Sequence, residues 1–233
     1  MLNPAESIEE VSLPDALLEA ETRLCRSVAA NVFGYHAAQI SSLAHAPDFL
    51  ATSQTISTHH LVSGPAGDLS GCFQARLFAL PLQDQSISLL ALHHIHEQFS
   101  SRRALWAETY RVLRPGGVVV IVGLNQGLLR RRPAHPRLIH PLAPPAMAEQ
   151  LRGFDFRTLL VRPISVRRSR VATWMGRVSR RWSGTWLGHF GVSFILVARK
   201  RSGEAPINLR PSPLGRLKAS TARLGNVQGR NQV

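Results

Sequence analysis

Five histidines fall in two short runs, His59-His60 and His93-His94-Ile95-His96, and Glu97 follows the second at once. Imidazole changes charge near neutral pH, so such groups suit proton transfer or metal ligation. No cysteine, aspartate or glutamate accompanies these runs at ligand spacing, and no metal site is expected. His94 is the candidate for orienting a bound molecule or acting as a base. The competing reading makes it a strand-end residue bonded to a loop, with Glu97 capping or pairing locally. Ser41 and Ser42 lack the strand–Gly-x-Ser-x-Gly context of a nucleophile. Trp174, Trp182 and Trp186 are interleaved with Arg167, Arg168, Arg170, Arg177, Arg180 and Arg181. That pattern makes either a surface for stacking and phosphate binding, or a cap with packed tryptophans and solvated arginines.

The elements that must position these groups read as alternating helices and strands. Residues 14–33 carry Leu17, Leu18, Leu24, Val28 and Val32 at helical spacing, behind Pro14. Strands are expected at 35–44, 56–64, 72–82 and 87–94, the last apolar enough to be buried on both faces. Residues 101–113 read as a helix capped by Ser100 or Ser101. The β-branched run of 116–125 then reads as another doubly buried strand. A Pro- and Arg-rich loop (126–145), a helix (146–154), a strand (156–164) and a final strand (191–201) follow. Pro115 cannot continue a helix and the next two glycines tolerate a sharp turn, so "RVLRPGG" (111–117) is a helix stop leading into a strand. Strands alternating with helices predict an α/β fold built on a mostly parallel sheet.

The chain has 28 Lys+Arg against 14 Asp+Glu, a formal charge of +14 in 233 residues. Such a balance favours polyanions, and the Arg-rich 162–181 segment is the candidate contact for nucleic acid or an acidic partner; scattered, solvated arginines are the plainer account. Cys25 and Cys72 have neither disulfide-framework nor metal spacing, which fits a reduced, cytoplasmic setting. The acidic first twenty residues lack the apolar core of a signal peptide, and no run is long enough to span a membrane. The expected organisation is a lead-in and helix (1–29), one domain (30–201) with variable regions at 126–137 and 165–190, and a disordered basic tail (202–233).

Leu80 to Asn125 carries a family resemblance. Leu80-Pro81, the polar turn after it, His94-Ile95-His96-Glu97 and Arg111-Val112-Leu113-Arg114-Pro115-Gly116-Gly117 follow one another as in class I S-adenosylmethionine (SAM)-dependent methyltransferases. The resemblance implies a Rossmann-like, mostly parallel seven-stranded sheet with helices on both faces, in three layers. It implies SAM as cofactor and transfer of its methyl group to an unidentified acceptor. It places cofactor contacts at Tyr35, Gln39, Ser41, Ala44, Arg76, Leu77 and His93. The same comparison marks departures: Ser41 and Ala44 stand where glycines are expected, and Arg76 and Ser88 where acidic residues are. No carboxylate ends the second strand. An alternative is therefore a catalytically inactive methyltransferase-like binding or scaffold protein.

Overall fold

The computed structural model describes residues 13–64, 67–125, 140–164 and 192–201. The elements run α1 (Asp15–Ala29), β1 (Phe33–Ser41), β2 (Gln54–Ser63), β3 (Asp68–Gly71), β4 (Ala75–Arg76), β5 (Ile87–His93), α2 (Arg103–Val112), β6 (Leu113–Leu124), α3 (Pro144–Gly153), β7 (Phe156–Ile164) and β8 (Ser193–Lys200), with a 3₁₀ turn at His96–Gln98. They form one eight-stranded sheet in the order β4-β3-β2-β1-β5-β6-β8-β7. β2, β1, β5 and β6 run parallel, whereas β3, β4, β7 and β8 join antiparallel. The α/β class holds, but the expected seven strands are eight. The difference lies at 72–82. Gly71, with a positive φ of 154°, ends β3, and the two residues of β4 complete a short hairpin in place of one long strand.

The central strands are buried on both faces, as their unbroken apolar sequence requires. On one face α2 and α3 cover Ile40, Leu90, Leu92, Val119, Ile121 and Leu196. Trp106 of α2 donates its indole N–H to Gln150 of α3 at 2.9 Å and ties the two helices together. On the other face α1 presents Leu17, Cys25 and Ala29 to Ala37, Leu89, Val120, Val122 and Ile195. The connection from β1 to β2 holds no helix. Leu43, Phe49 and Leu50 plug the sheet instead, and the first halves of both strands stay bare: Phe33 is 61%, Tyr35 68% and Ile56 81% exposed.

The "RVLRPGG" stretch holds a bulge. α2 ends at Val112 and β6 starts at once with Leu113. Leu113 faces Ile87, and the next regular pair is Leu89 with Val118, so residues 114–117 loop out of the ladder. Gly116 takes φ +75°, which a glycine adopts without penalty. Lys200, at the end of β8, donates from Nζ to the carbonyls of Tyr110 (2.6 Å) and Leu113 (2.8 Å), closing the carboxyl end of α2. No serine caps the other end. Arg102 occupies the N-cap position, and its guanidinium reaches the carbonyls of His96 and His140.

Two further contacts fix the strand leading to the site. Arg111 donates to the carbonyls of Leu80 and Leu82 and to the carboxylates of Asp84 and Glu108, while Glu108 accepts the Leu80 N–H at 2.6 Å. The Leu80-Pro81 element and the arginine of "RVLRPGG" are thus one hydrogen-bonded unit. Ser88 is the extra residue where the β1–β5 register shifts, and it sits against Gly34: a Cβ there would lie 1.9 Å from the Ser88 Oγ. Arg111→Met takes the arginine donor away from the Glu108 and Asp84 carboxylates and from the carbonyls of Leu80 and Leu82, leaving Glu108 only the Leu80 N–H. We expect a loss of about 2–4 kcal/mol, from charge-assisted hydrogen bonds worth ~1.5–3 kcal/mol each, read from urea midpoints. A change under half a kilocalorie would show that the unit does not hold the loop.

Candidate functional site

In open parallel sheets, ligands bind outside the carboxyl ends of the strands where the winding reverses, here between β1 and β5. The structure places a fully buried polar cluster at that edge. His93 closes β5. His94 follows with a positive φ of 54°, a left-handed conformation uncommon for a residue with a Cβ. Successive side chains of a regular strand point to opposite faces. The turn at His94 breaks that alternation and brings the two imidazoles to 4.4 Å between ring centres.

Glu21 comes from α1. Leu17, Glu21, Cys25 and Ala29 are four apart and form the buried stripe of that helix. Glu21 Oε2 lies 3.1 Å from His93 Nε2 and 3.5 Å from His94 Nε2. The first is a hydrogen bond; the second is an ion-pair contact too long for a good one. Beyond the imidazoles, His93 Nδ1 meets Ser41 Oγ at 2.9 Å, and that hydroxyl accepts the Leu43 N–H at 3.0 Å. His94 Nδ1 meets the Glu97 carboxylate at 3.2 Å, and Glu97 accepts the Leu124 N–H of β6. The cluster joins α1, β1, β5 and β6.

Each charge follows from its neighbours. Burial alone would lower the His94 pKa, but Glu97 and Glu21 outweigh it and hold the imidazole up at about 10. His93 is pushed down to about 4 by burial and by the charge on His94. Burial also takes His96 to about 4 against the pull of Glu97. For both Glu21 and Glu97 burial works toward protonation, and His94 overrides it, leaving each carboxyl below its ordinary range. The result is one imidazolium between two carboxylates and a neutral imidazole on either side.

Sequence reasoning named His93, His94, Ser41 and Glu97, and the fold brings them together. Glu21 was missed: it lies midway between Leu17 and Cys25 on the buried stripe, but nothing in the sequence ties it to the histidines. Gln39 is buried under the site, where its side chain bonds Pro47 O and the Phe49 N–H and holds the β1–β2 connection closed. Leu77 is buried in the core shared with α2. Ala44 is exposed beyond the site. Arg76 is exposed on β4, its backbone paired with Asp68 and Ala79. Tyr35 lies exposed toward the amino end of β1, away from the carboxyl edge. His59 stacks on His36 at the surface, 5.8 Å between rings. The tryptophan and arginine stretch at 165–191 lies outside the described residues, as do 126–139 and the basic tail.

With this geometry in place, comparison with known proteins becomes informative. Residues 26–121 match the family model of the methyltransferase domain. That segment runs from the last turn of α1 into β6 and contains His93, His94 and Glu97, while Glu21 lies before it. No curated protein matches the chain. Among solved structures, the methyltransferase-domain fold recurs in an Archaeoglobus fulgidus SAM-dependent methyltransferase (TM-score 0.57, 13% identity, covering 78% of this chain and 94% of that one). It recurs in a Haloferax volcanii complex between the Trm112 methyltransferase activator and a methyltransferase (0.57, 10%, 78% and 90%). It also recurs in Haemonchus contortus phosphoethanolamine N-methyltransferase 2 with SAM (0.51, 10%, 78% and 52%).

The cluster predicts an uneven pH profile for the metal-free chain. The His94 contribution is complete below its unfolded pKa of about 6.5 and is lost as pH rises toward about 10. His93 and His96, held neutral, contribute above about 6.5 and lose that contribution as pH falls toward about 4. The lowered carboxyls of Glu21 and Glu97 add to the acid loss. Urea midpoints taken with a chelator present should peak near pH ~6.5 and fall on both sides. A midpoint rising steadily to pH 10 would contradict this assignment.

Proposed function

We propose that the chain is a SAM-dependent methyltransferase whose cofactor lies over the carboxyl ends of β1, β2 and β5, within a methyltransferase-like domain spanning 30–201. The observation that carries this reading is the match of residues 26–121 to the methyltransferase domain. These residues form the parallel β2-β1-β5-β6 centre of the sheet. A structural neighbour solved with SAM supports the same cofactor.

The polar groups at that edge fit such a ligand in a changed form. Ser42 Oγ and Gln98 Nε2 are buried with no hydrogen-bond partner. Ser42 follows the end of β1, and the Ser63 hydroxyl at the end of β2 donates to Gln98 Oε1 at 3.2 Å. A ligand rich in hydroxyls and carboxylate oxygens satisfies both unpartnered groups. Ser42, Ser63 and Gln98 would hold it, beside Ser41 and Ala44 where the resemblance expects glycines and at the end of β2 where it expects a carboxylate. Ser41 and His93 would fix the strand ends beneath it, with Leu77 packed behind. SAM, when bound, supplies a methyl group on a sulfonium centre. The chain's own contribution is to orient and to exclude water.

One observation favours the second reading, a non-catalytic binding or scaffold protein. Leu43, Phe49 and Leu50 are buried over the strand ends, and Phe49 packs edge-on against His93 at 4.7 Å. The loop that would approach the cofactor is thus filled with side chains. An acidic protein or nucleic acid meeting the basic surface would be the partner in that case, with no methyl acceptor needed.

Calorimetric titration of SAM and S-adenosylhomocysteine into the purified full chain separates the two. Saturable binding is expected, weakened roughly fivefold by Ser42→Ala or Gln98→Leu, since one neutral hydrogen bond is worth ~1 kcal/mol. No heat and no thermal shift at millimolar ligand would sink the enzyme reading.

A further inference from the structure

We propose that Glu21, His93 and His94 form a binding site for a divalent transition-metal ion of the zinc type. Each residue offers one ligand atom, and these atoms all lie within 4.8 Å of one another. Two imidazole nitrogens and one carboxylate oxygen are a ligand set that zinc takes, with a fourth position left for water or another donor.

Two of the three edges between the ligand atoms match a coordination polyhedron. Zinc–nitrogen and zinc–oxygen bonds of about 2.0–2.1 Å at tetrahedral angles put neighbouring ligand atoms about 3.3 Å apart. The observed edges from Glu21 Oε2 are 3.1 Å to His93 Nε2 and 3.5 Å to His94 Nε2. A hydrogen-bonded network alone leaves a remainder: Glu21 Oε1 and His94 Nε2 are buried with no hydrogen-bond partner. Side chains this deeply buried are ordinarily satisfied. An ion held by Glu21 Oε2, His93 Nε2 and His94 Nε2 gives His94 Nε2 the partner it lacks.

The outer groups are arranged as metal-bound histidines require. A ligating imidazole donates its other N–H to a carboxylate or a similar acceptor, which fixes the ring. Here both Nε2 atoms converge on Glu21. His94 Nδ1 faces Glu97, and His93 Nδ1 faces the Ser41 hydroxyl. A dication balances the two buried carboxylates, Glu21 and Glu97. The site joins α1 to the end of β5 across 72 residues of sequence, so the bound ion clamps the amino-terminal helix to the sheet. This role is separate from methyl transfer and does not rest on it.

Elemental analysis of the full chain purified without chelator should find about one zinc per chain. Zinc absorption spectra should show nitrogen and oxygen ligands at about 2.0–2.1 Å and none at the ~2.3 Å of a thiolate. After removal of zinc, added Co²⁺ should give the visible bands of a tetrahedral site. Glu21→Gln should abolish those bands, and Glu97→Gln should weaken affinity about 10–100-fold. His59→Ala, in the surface histidine group, should leave them intact. Failure of the wild-type chain to take up zinc or Co²⁺ overturns the site. So does a thiolate ligand, which would implicate Cys25, uptake untouched by Glu21→Gln in a folded variant, or loss of the bands in His59→Ala.

Discussion

Burying two carboxylates beside the centre of a sheet is the constraint that shapes this molecule. An isolated carboxylate in a protein interior is strongly unfavourable unless a cation and hydrogen-bond donors accompany it. Glu21 and Glu97 meet that requirement together, sharing His94 between them and drawing on His93 and the Leu124 N–H. These contacts reach α1, β5 and β6 at once, so the position of the first helix is set by charge as well as by apolar packing. Breaking such a network by removing one partner leaves an uncompensated charge inside, which is costlier than losing a surface pair.

The same cluster explains why a helix-free crossover works. With α1 over β6, β7 and β8, the short β1–β2 connection buries only a few side chains to close the gap. Leu43, Phe49 and Leu50 do so, and Gln39 holds their loop through two backbone contacts. What the loop does not reach stays in water, which accounts for the exposed Phe33, Tyr35 and Ile56. The strand ends are therefore crowded and the strand beginnings bare.

The scaffold was legible wherever a local pattern decided it. The apolar run at 87–93 and the β-branched run after Gly117 have no stable alternative to a doubly buried strand, and both strands formed. The region 72–82 was not legible, because its pairing depends on how Gly71 turns the chain rather than on alternation. The Ser100 and Ser101 hydroxyls read as caps, but Arg102 had nearby carbonyls to satisfy and took the helix start. At the site, the histidines were visible from their spacing. Their carboxylate partner was not, since only the fold brings Glu21 across to them, and a glutamate on a helix ordinarily reads as a solvated face.

Gly34 and Ser88 carry a consequence for how this chain can change. The glycine leaves room for the serine that bulges out of the β1–β5 ladder, and any side chain at 34 would overlap it. Position 34 cannot accept a side chain while Ser88 stays as it is. The two sites are coupled by sterics, so the effect of changing one depends on the state of the other. Such epistasis makes the order of substitutions matter: a side chain at 34 becomes possible only once position 88 has lost its own.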